Sequence, residues 1–152
     1  MLVRKISLLL SVLVATLAQG ASPPGPSKSE YLITTAAGFL FEPGGGAYYA
    51  LSFDVLKSPH GTLYVIVEFE TPEDSAKPMT TEVVVQSGKS SFQTRSPSVR
   101  AITNNRRYGV SLKLYADAAC TQLVGTHHQE VLFSVPKQMR SQVAEQFGLT
   151  VK

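Results

Sequence analysis

The chain has little cysteine and no tryptophan: its 152 residues contain one cysteine, Cys120. A single cysteine cannot form a disulfide within the chain, so the fold must be stabilised by burial of apolar side chains. Three roles for Cys120 remain open. Cys120 could form a disulfide bridge between two chains and so make a dimer. It could instead be a reactive thiol or a small buried side chain.

The sequence also lacks the short motifs of common catalytic and cofactor sites. It contains no G-x-S-x-G and no H-E-x-x-H. The glycines of "PGGGA", residues 43–47, are not followed by the lysine and the helix that a phosphate-binding loop requires. We therefore expect a protein that is not an enzyme and needs no cofactor.

The first 20 residues have the three parts of a secretory signal. Arg4 and Lys5 precede an apolar run, residues 6–17, and Ala18 and Gly20 supply small residues at positions −3 and −1. A membrane anchor is the alternative, but a spanning helix needs about 20 apolar residues. We predict a cleaved signal over residues 1–20, no stable membrane insertion of the mature chain, and a periplasmic or secreted location.

Net charge is small once this segment is set aside. The chain has 14 Lys and Arg against 11 Asp and Glu, and removal of Arg4 and Lys5 leaves 12 − 11 = +1. Because positive and negative charges nearly balance, the mature chain has no electrostatic basis for binding nucleic acid or an anionic membrane.

The mature chain begins with a segment rich in proline, glycine and serine. Residues 21–30, "ASPPGPSKSE", favour neither helix nor strand, and we predict a flexible leader. Apolar and polar residues then alternate, which is typical of half-buried strands. In the segment 63–69, Tyr64 and Ile66 make the second face apolar as well. We predict seven strands, at residues 31–41, 48–55, 63–69, 82–86, 91–96, 108–115 and 126–135.

Strands in series without intervening helices favour an antiparallel β-sandwich. Residues 31–136 resemble a seven-stranded immunoglobulin-like or fibronectin-type-III-like domain. In this resemblance "RYGVSLKLYAD", residues 107–117, takes the place of strand F. In these domains a tyrosine at the start of strand F bonds back to the chain just upstream, and Tyr108 matches that position. The resemblance implies a fold and no particular activity.

The C-terminal segment departs from the strand pattern. "PKQMRSQVAEQFGL", residues 136–149, has a proline suited to a first helical turn and a glycine suited to a C-terminal stop. Met139, Val143 and Phe147 would form one apolar stripe. We predict a short amphipathic helix within residues 137–152, whose stripe packs on the domain itself or docks a partner.

Two of the three histidines are adjacent in "GTHHQEV", residues 125–131. Successive side chains of a strand point to opposite faces, so His127 and His128 should not bind one metal together. His127 shares its face with Val131 and Phe133. We expect His127 to be buried, with its charged form disfavoured, and His128 to be exposed.

The immunoglobulin-like strand order implies two groups of candidate binding residues. At one end, His60 would approach Asp117, Cys120 and one of the two adjacent histidines, His127 or His128, a set that suits a metal or thiolate site. At the other end, Arg100, Arg106 and Arg107 would bind an anionic ligand or be neutralised by the acidic residues of a neighbouring loop, Glu73 and Asp74.

Two classes of function, with a third variant, fit these observations. The first is a non-enzymatic module that binds another protein, or a glycan, through an end loop, an edge strand or the C-terminal helix. The second is a small metal- or thiol-dependent protein that uses Cys120 and His60. The third is a secreted enzyme inhibitor, which the sequence does not separate from the first.

Overall fold

A computed structural model describes residues 22–58 and 61–152 of the chain. These residues form nine strands, one helix and one 3-10 turn, Lys137–Met139. The helix is α1 (Arg140–Phe147). The strands are β1 (Leu32–Glu42), β2 (Gly46–Val55), β3 (Leu63–Phe69), β4 (Met79–Val85), β5 (Ser91–Arg95), β6 (Ala101–Ile102), β7 (Arg106–Tyr115), β8 (Leu123–Phe133) and β9 (Thr150–Val151).

The nine strands form three sheets. One has three antiparallel strands in the order β1-β2-β5, and a second has four antiparallel strands in the order β4-β3-β7-β8. The seven strands predicted from alternation all lie in these two sheets. The prediction of seven strands in total was wrong, because β6 and β9 pair in parallel as a third sheet. Two-residue strands are too short for an alternating pattern to reveal.

The two larger sheets share one apolar core. Alternate side chains of β2, β3 and β7 point into it and are fully buried, as their sequence pattern predicts. Aromatic rings connect the sheets: the ring centroids of Phe39 and Phe133 are 5.3 Å apart, and those of Tyr49 and Phe69 are 5.4 Å apart. Such ring pairs stabilise the contact beyond the area they bury.

Tyr108 closes the connection that precedes β7. Its hydroxyl accepts a hydrogen bond from the Thr103 backbone N–H at 2.8 Å, and Thr103 lies five residues upstream. The bond that we predicted for this tyrosine is therefore confirmed. It supplies a partner to a backbone donor in a partly buried position, where an unpaired donor would be costly.

The short C-terminal helix is also confirmed. It ends at Gly148, whose φ of 62° lies in the left-handed region that favours glycine. Val143 is buried, and the Phe147 ring packs against Phe41 with centroids 5.0 Å apart. The apolar stripe therefore covers the domain's own core. No helix formed by the residues that the structure describes is long and apolar enough to cross a membrane.

Candidate functional site

The loop between β7 and β8 contains Asp117 and Cys120, two of the predicted site residues. The Asp117 carboxylate accepts hydrogen bonds from the Thr121 hydroxyl at 2.6 Å and from the Gln122 backbone N–H at 2.7 Å. These bonds, with that of Thr121 first, lower the pKa of Asp117. The carboxylate therefore acts within its own loop, which it closes as a turn.

Cys120 is partly buried in this loop and has a φ of 54°. Burial, and then the negative charges of Glu82 and Asp117, raise the pKa of its thiol. A thiol with a raised pKa is a weaker nucleophile and metal ligand at neutral pH, because the thiolate is the reactive form.

His60, which we also predicted at this end, lies outside the described residues. Its approach to Cys120 therefore stays a prediction. Among residues 22–58 and 61–152, no three His, Cys, Asp or Glu side chains are grouped so that they could hold a metal ion.

Two of the three predicted arginines pair with carboxylates, that of Glu70 directly after β3 and that of Glu130 in β8. The Arg106 guanidinium donates to Glu70 Oε1 at 2.7 Å and lies over the Tyr108 ring, 4.9 Å from its centroid. Arg107 Nη1 lies 3.4 Å from Glu130 Oε2. Neutralisation of these arginines therefore comes from Glu70 and Glu130.

The third arginine and the acidic loop have other partners. Arg100 Nη1 donates to the backbone oxygen of Gly44 at 2.6 Å. Asp74, one of the two loop acids expected to neutralise the arginines, lies 3.8 Å from Lys77 Nζ. Each arginine thus has a partner within the domain, and an anionic ligand would have to compete with it.

The two adjacent histidines point to opposite faces of β8, as predicted. His127 is 3% exposed, whereas His128 is exposed. His127 Nε2 lies 2.9 Å from both Ser27 Oγ and Thr34 Oγ1, and its Nδ1 lies 2.8 Å from Ser29 Oγ. Three hydroxyls therefore surround one buried imidazole.

The environment of His127 favours its neutral form. The Phe53 ring meets the imidazole edge-on, with centroids 5.6 Å apart. Burial first, and then the neighbouring His128, lower the pKa of His127. This is the direction that the sequence pattern predicted for the buried member of the pair.

The hydroxyls of Ser27 and Ser29 belong to residues 22–30, here called the N-terminal segment, which lies within the flexible leader that we predicted for residues 21–30. Gln129, which shares the inner face of β8 with His127, accepts a bond from the Ser27 backbone N–H at 2.8 Å and donates to the Gly25 oxygen at 3.2 Å. The backbone N–H of Thr34 donates to the Ser27 oxygen at 2.9 Å. The segment therefore lies against β8 through polar contacts.

The face of the four-stranded sheet that points away from the core, here called the outer face, carries a row of apolar side chains. Strand register pairs Tyr64 with both Val84 and Tyr115, and Tyr115 with Leu123. Val84 is 52% and Leu123 is 55% exposed, and the tyrosines are partly exposed. These four residues, one from each strand, are called the apolar row.

Polar side chains lie beside the apolar row on the same face. Lys113 Nζ donates to Glu68 Oε1 at 2.8 Å, and the Ser111 hydroxyl lies 3.1 Å from His128 Nδ1. They border an open groove of about 480 Å³, which Lys28 of the N-terminal segment also lines. The outer face thus has an apolar part and a polar part, which is the composition of many protein-binding surfaces.

Reasoning from the sequence missed this row as a site. The signal was present in Tyr64 and Ile66, which made the second face of β3 apolar. The same pattern did not indicate Leu123, because alternation along β8 places residue 123 on the inner face with His127. A register shift between Leu114 and Tyr115 brings Leu123 opposite Tyr115 instead.

Comparisons with known proteins do not identify the chain. No family model matches it, and no curated protein matches it. Among solved structures it is similar to a β-glucuronidase of Bacteroides uniformis, with 16% sequence identity and a TM-score of 0.42. The likeness covers 68% of this chain and 13% of that one. Similarity at this level assigns no activity.

Proposed function

We propose that this protein is a non-enzymatic extracytoplasmic module that binds another protein through the outer face of its four-stranded sheet. The observation that carries the proposal is the apolar row. It contains two of the four large apolar side chains that are exposed among the described residues. An exposed apolar patch with a polar border is characteristic of interaction sites.

The dimensions and chemistry of the row suit a protein partner. Strands lie about 4.8 Å apart, so four side chains in register span roughly 14 Å. Tyrosine contributes a large contact area at low cost in conformational entropy and is enriched among residues that dominate binding energy. Ile66 extends the apolar surface by one row, and Lys113 and Glu68 supply a charged border.

We further infer a fibronectin-type-III-like sandwich. The support is the order β1-β2-β5 against β4-β3-β7-β8, the shared aromatic core and the bond from Thr103 to Tyr108. In such an arrangement the outer face lies on a rigid sheet, which lowers the entropic cost of binding.

The proposal of a non-enzymatic role is supported by the state of the candidate reactive groups. The Cys120 thiol has a raised pKa, the Asp117 carboxylate is bound within its own loop, and His127 is surrounded by hydroxyls that fix the N-terminal segment. The extracytoplasmic location rests on the signal-like pattern of residues 1–20.

The test uses the mature protein, residues 21–152, immobilised and exposed to an extracytoplasmic fraction. The captured protein is then purified, and its Kd is measured against the wild type and the Tyr115→Ala and Leu123→Ser variants. We expect each variant to weaken binding by about 1–2 kcal/mol or more, as truncation of central interface residues does.

The matched control is Leu40→Ser, which changes an exposed leucine of the three-stranded sheet, 50% exposed. It should leave Kd unchanged. If Leu40→Ser weakens binding and the apolar-row variants do not, the binding surface lies on the other sheet and the proposal is wrong. If the captured protein is an enzyme, its inhibition by the wild type separates a secreted inhibitor from a simple binding module.

A further inference from the structure

The N-terminal segment is held almost entirely by polar contacts. None of its side chains is among the buried apolar residues of the core. Its attachment to β8 depends on the hydroxyls of Ser27 and Ser29 at the His127 ring, and on the backbone of Gly25 and Ser27 at Gln129. Regions with little apolar burial open at a lower free-energy cost than the core. The segment can therefore detach while the sheets stay folded.

We propose that the N-terminal segment is an acid-released latch, in which protonation of the buried His127 detaches the segment from the inner face of β8. The inference does not depend on the proposed binding role of the outer face. It assigns a regulatory role to His127, which the proposed binding function does not use.

The cost of protonation in the closed state is electrostatic. Hydroxyl groups can rotate to accept from either ring nitrogen, so an imidazolium would keep hydrogen-bond partners. It would, however, be a buried charge whose direct neighbours are three hydroxyls and the Phe53 ring, with no carboxylate among them. Burial of a charge without a counter-charge is unfavourable. Departure of Ser27 and Ser29 would let water reach the charged ring.

The other ionisable groups near the ring do not offset this cost. From β1 and β2 the ring meets Thr34 and Phe53, neither of which is charged. The ionisable side chains that line the adjoining groove are Lys28, Glu68, Lys113 and His128. The carboxylate of Glu68 is bound to Lys113 at 2.8 Å. Lys28, and His128 once protonated, add positive charge, which disfavours an imidazolium in the closed state.

The position of β8 would allow the N-terminal segment to leave without exposing the core. β8 is the edge strand of its sheet and is hydrogen-bonded there to β7. Its inner face carries Val131 and Phe133 over the core, and then His127 and Gln129 under the N-terminal segment. Detachment of the segment would expose His127 and Gln129 and leave Val131 and Phe133 buried.

Amide hydrogen exchange followed by NMR tests the latch, with rates corrected for the intrinsic effect of pH. The reporters are the amides of Ser27, Ser29 and Thr34, which bond to Gln129, Leu32 and Ser27 respectively. Between about pH 7.5 and about pH 5, across the range in which histidines titrate, we expect their protection to fall about tenfold while the amides of β3 keep theirs.

Two variants identify the titrating group. His127→Gln keeps a hydrogen-bonding side chain but cannot titrate, so its segment should show no pH-dependent loss of protection. His128→Gln, the adjacent exposed histidine, should behave like the wild type. Unchanged wild-type protection, or an equal loss in His127→Gln, would overturn the proposal.

A measurement on the wild type alone keeps the test decisive if His127→Gln does not fold. The ring resonances of His127 and the amide resonance of Ser29 are followed through the same titration. A common midpoint supports the latch. Different midpoints would mean that another group releases the segment, and the proposal would fail.

Discussion

The two faces of β8 place neighbouring side chains in opposite situations. On the inner face, His127 and Gln129 are buried, and both form hydrogen bonds with the N-terminal segment. On the outer face, His128 and Glu130 are exposed, and their contacts with Ser111 and Arg107 lie in solvent. The comparison teaches that two polar residues adjacent in sequence can differ completely in burial and in the part of the domain that they contact.

The largest effect should separate the two histidines. His127→Ala leaves a cavity and up to three hydroxyls without their ring partner, and should lower the free energy of unfolding by about 2 kcal/mol or more. His128→Ala changes an exposed side chain and should stay within about ±0.5 kcal/mol. Urea denaturation of both variants measures the difference. An equal loss in the two would remove the distinction between the faces.

A second matched pair lies on β7. Tyr108→Phe removes the hydroxyl that accepts from the Thr103 N–H, and should cost about 1–2 kcal/mol. Tyr115→Phe, on the outer face of the same strand, should change stability by less than about 0.5 kcal/mol. Thermal and urea unfolding of the two variants provide the test, and a larger loss for Tyr115→Phe would contradict the assignment of the faces.

The third difference between the faces is a dependence on pH. Burial lowers the pKa of His127 below its ordinary value of 6.5, so the unfolded chain takes up a proton near pH 6.5 while the closed native state does not. The unfolded state then binds more protons, and stability falls as pH decreases from about 6.5 toward the native pKa of His127. Detachment of the N-terminal segment limits this loss of stability, because water can then reach the charged ring.

Urea denaturation at several pH values between about 7.5 and 5 tests this dependence. The loss at low pH should be smaller in His127→Gln than in the wild type, and His128→Gln should follow the wild type. A greater acid sensitivity in His127→Gln would show that a different titrating group causes the effect.

The smallest effect concerns Cys120, which lies in the loop between β7 and β8. Because burial raises its pKa, iodoacetamide should alkylate the native thiol more slowly than the thiol of the urea-unfolded chain at the same pH. Reductant should leave Tm unchanged. A fall of Tm on reduction would instead show that a Cys120 bridge between two chains stabilises the protein.

Sequence reasoning located the seven longer strands and the helix because alternation and the Met139, Val143 and Phe147 stripe are local patterns. It also placed His127 and His128 on the correct faces. It did not find β6 and β9, whose pairing is created by the return of the chain after α1. Their length leaves no periodic signal to read.

The contacts that matter most for the candidate sites depend on residues far apart in the chain. Nothing local connects Ser27 and Ser29 with His127, about 100 residues later. Similarly, the apolar row requires the register of four strands and the shift that brings Leu123 opposite Tyr115. Alternation within one strand specifies a face, but it does not specify which side chains of other strands lie beside it.

The most direct test of the proposed function is a methyl NMR titration of the protein with its captured partner. Val84 and Leu123 represent the outer face, and Leu40 and Leu56 are the other two exposed large apolar side chains of the described residues. We predict that the partner shifts or broadens the methyl signals of Val84 and Leu123 and leaves those of Leu40 and Leu56 unchanged. Perturbation of Leu40 and Leu56 alone would contradict the account.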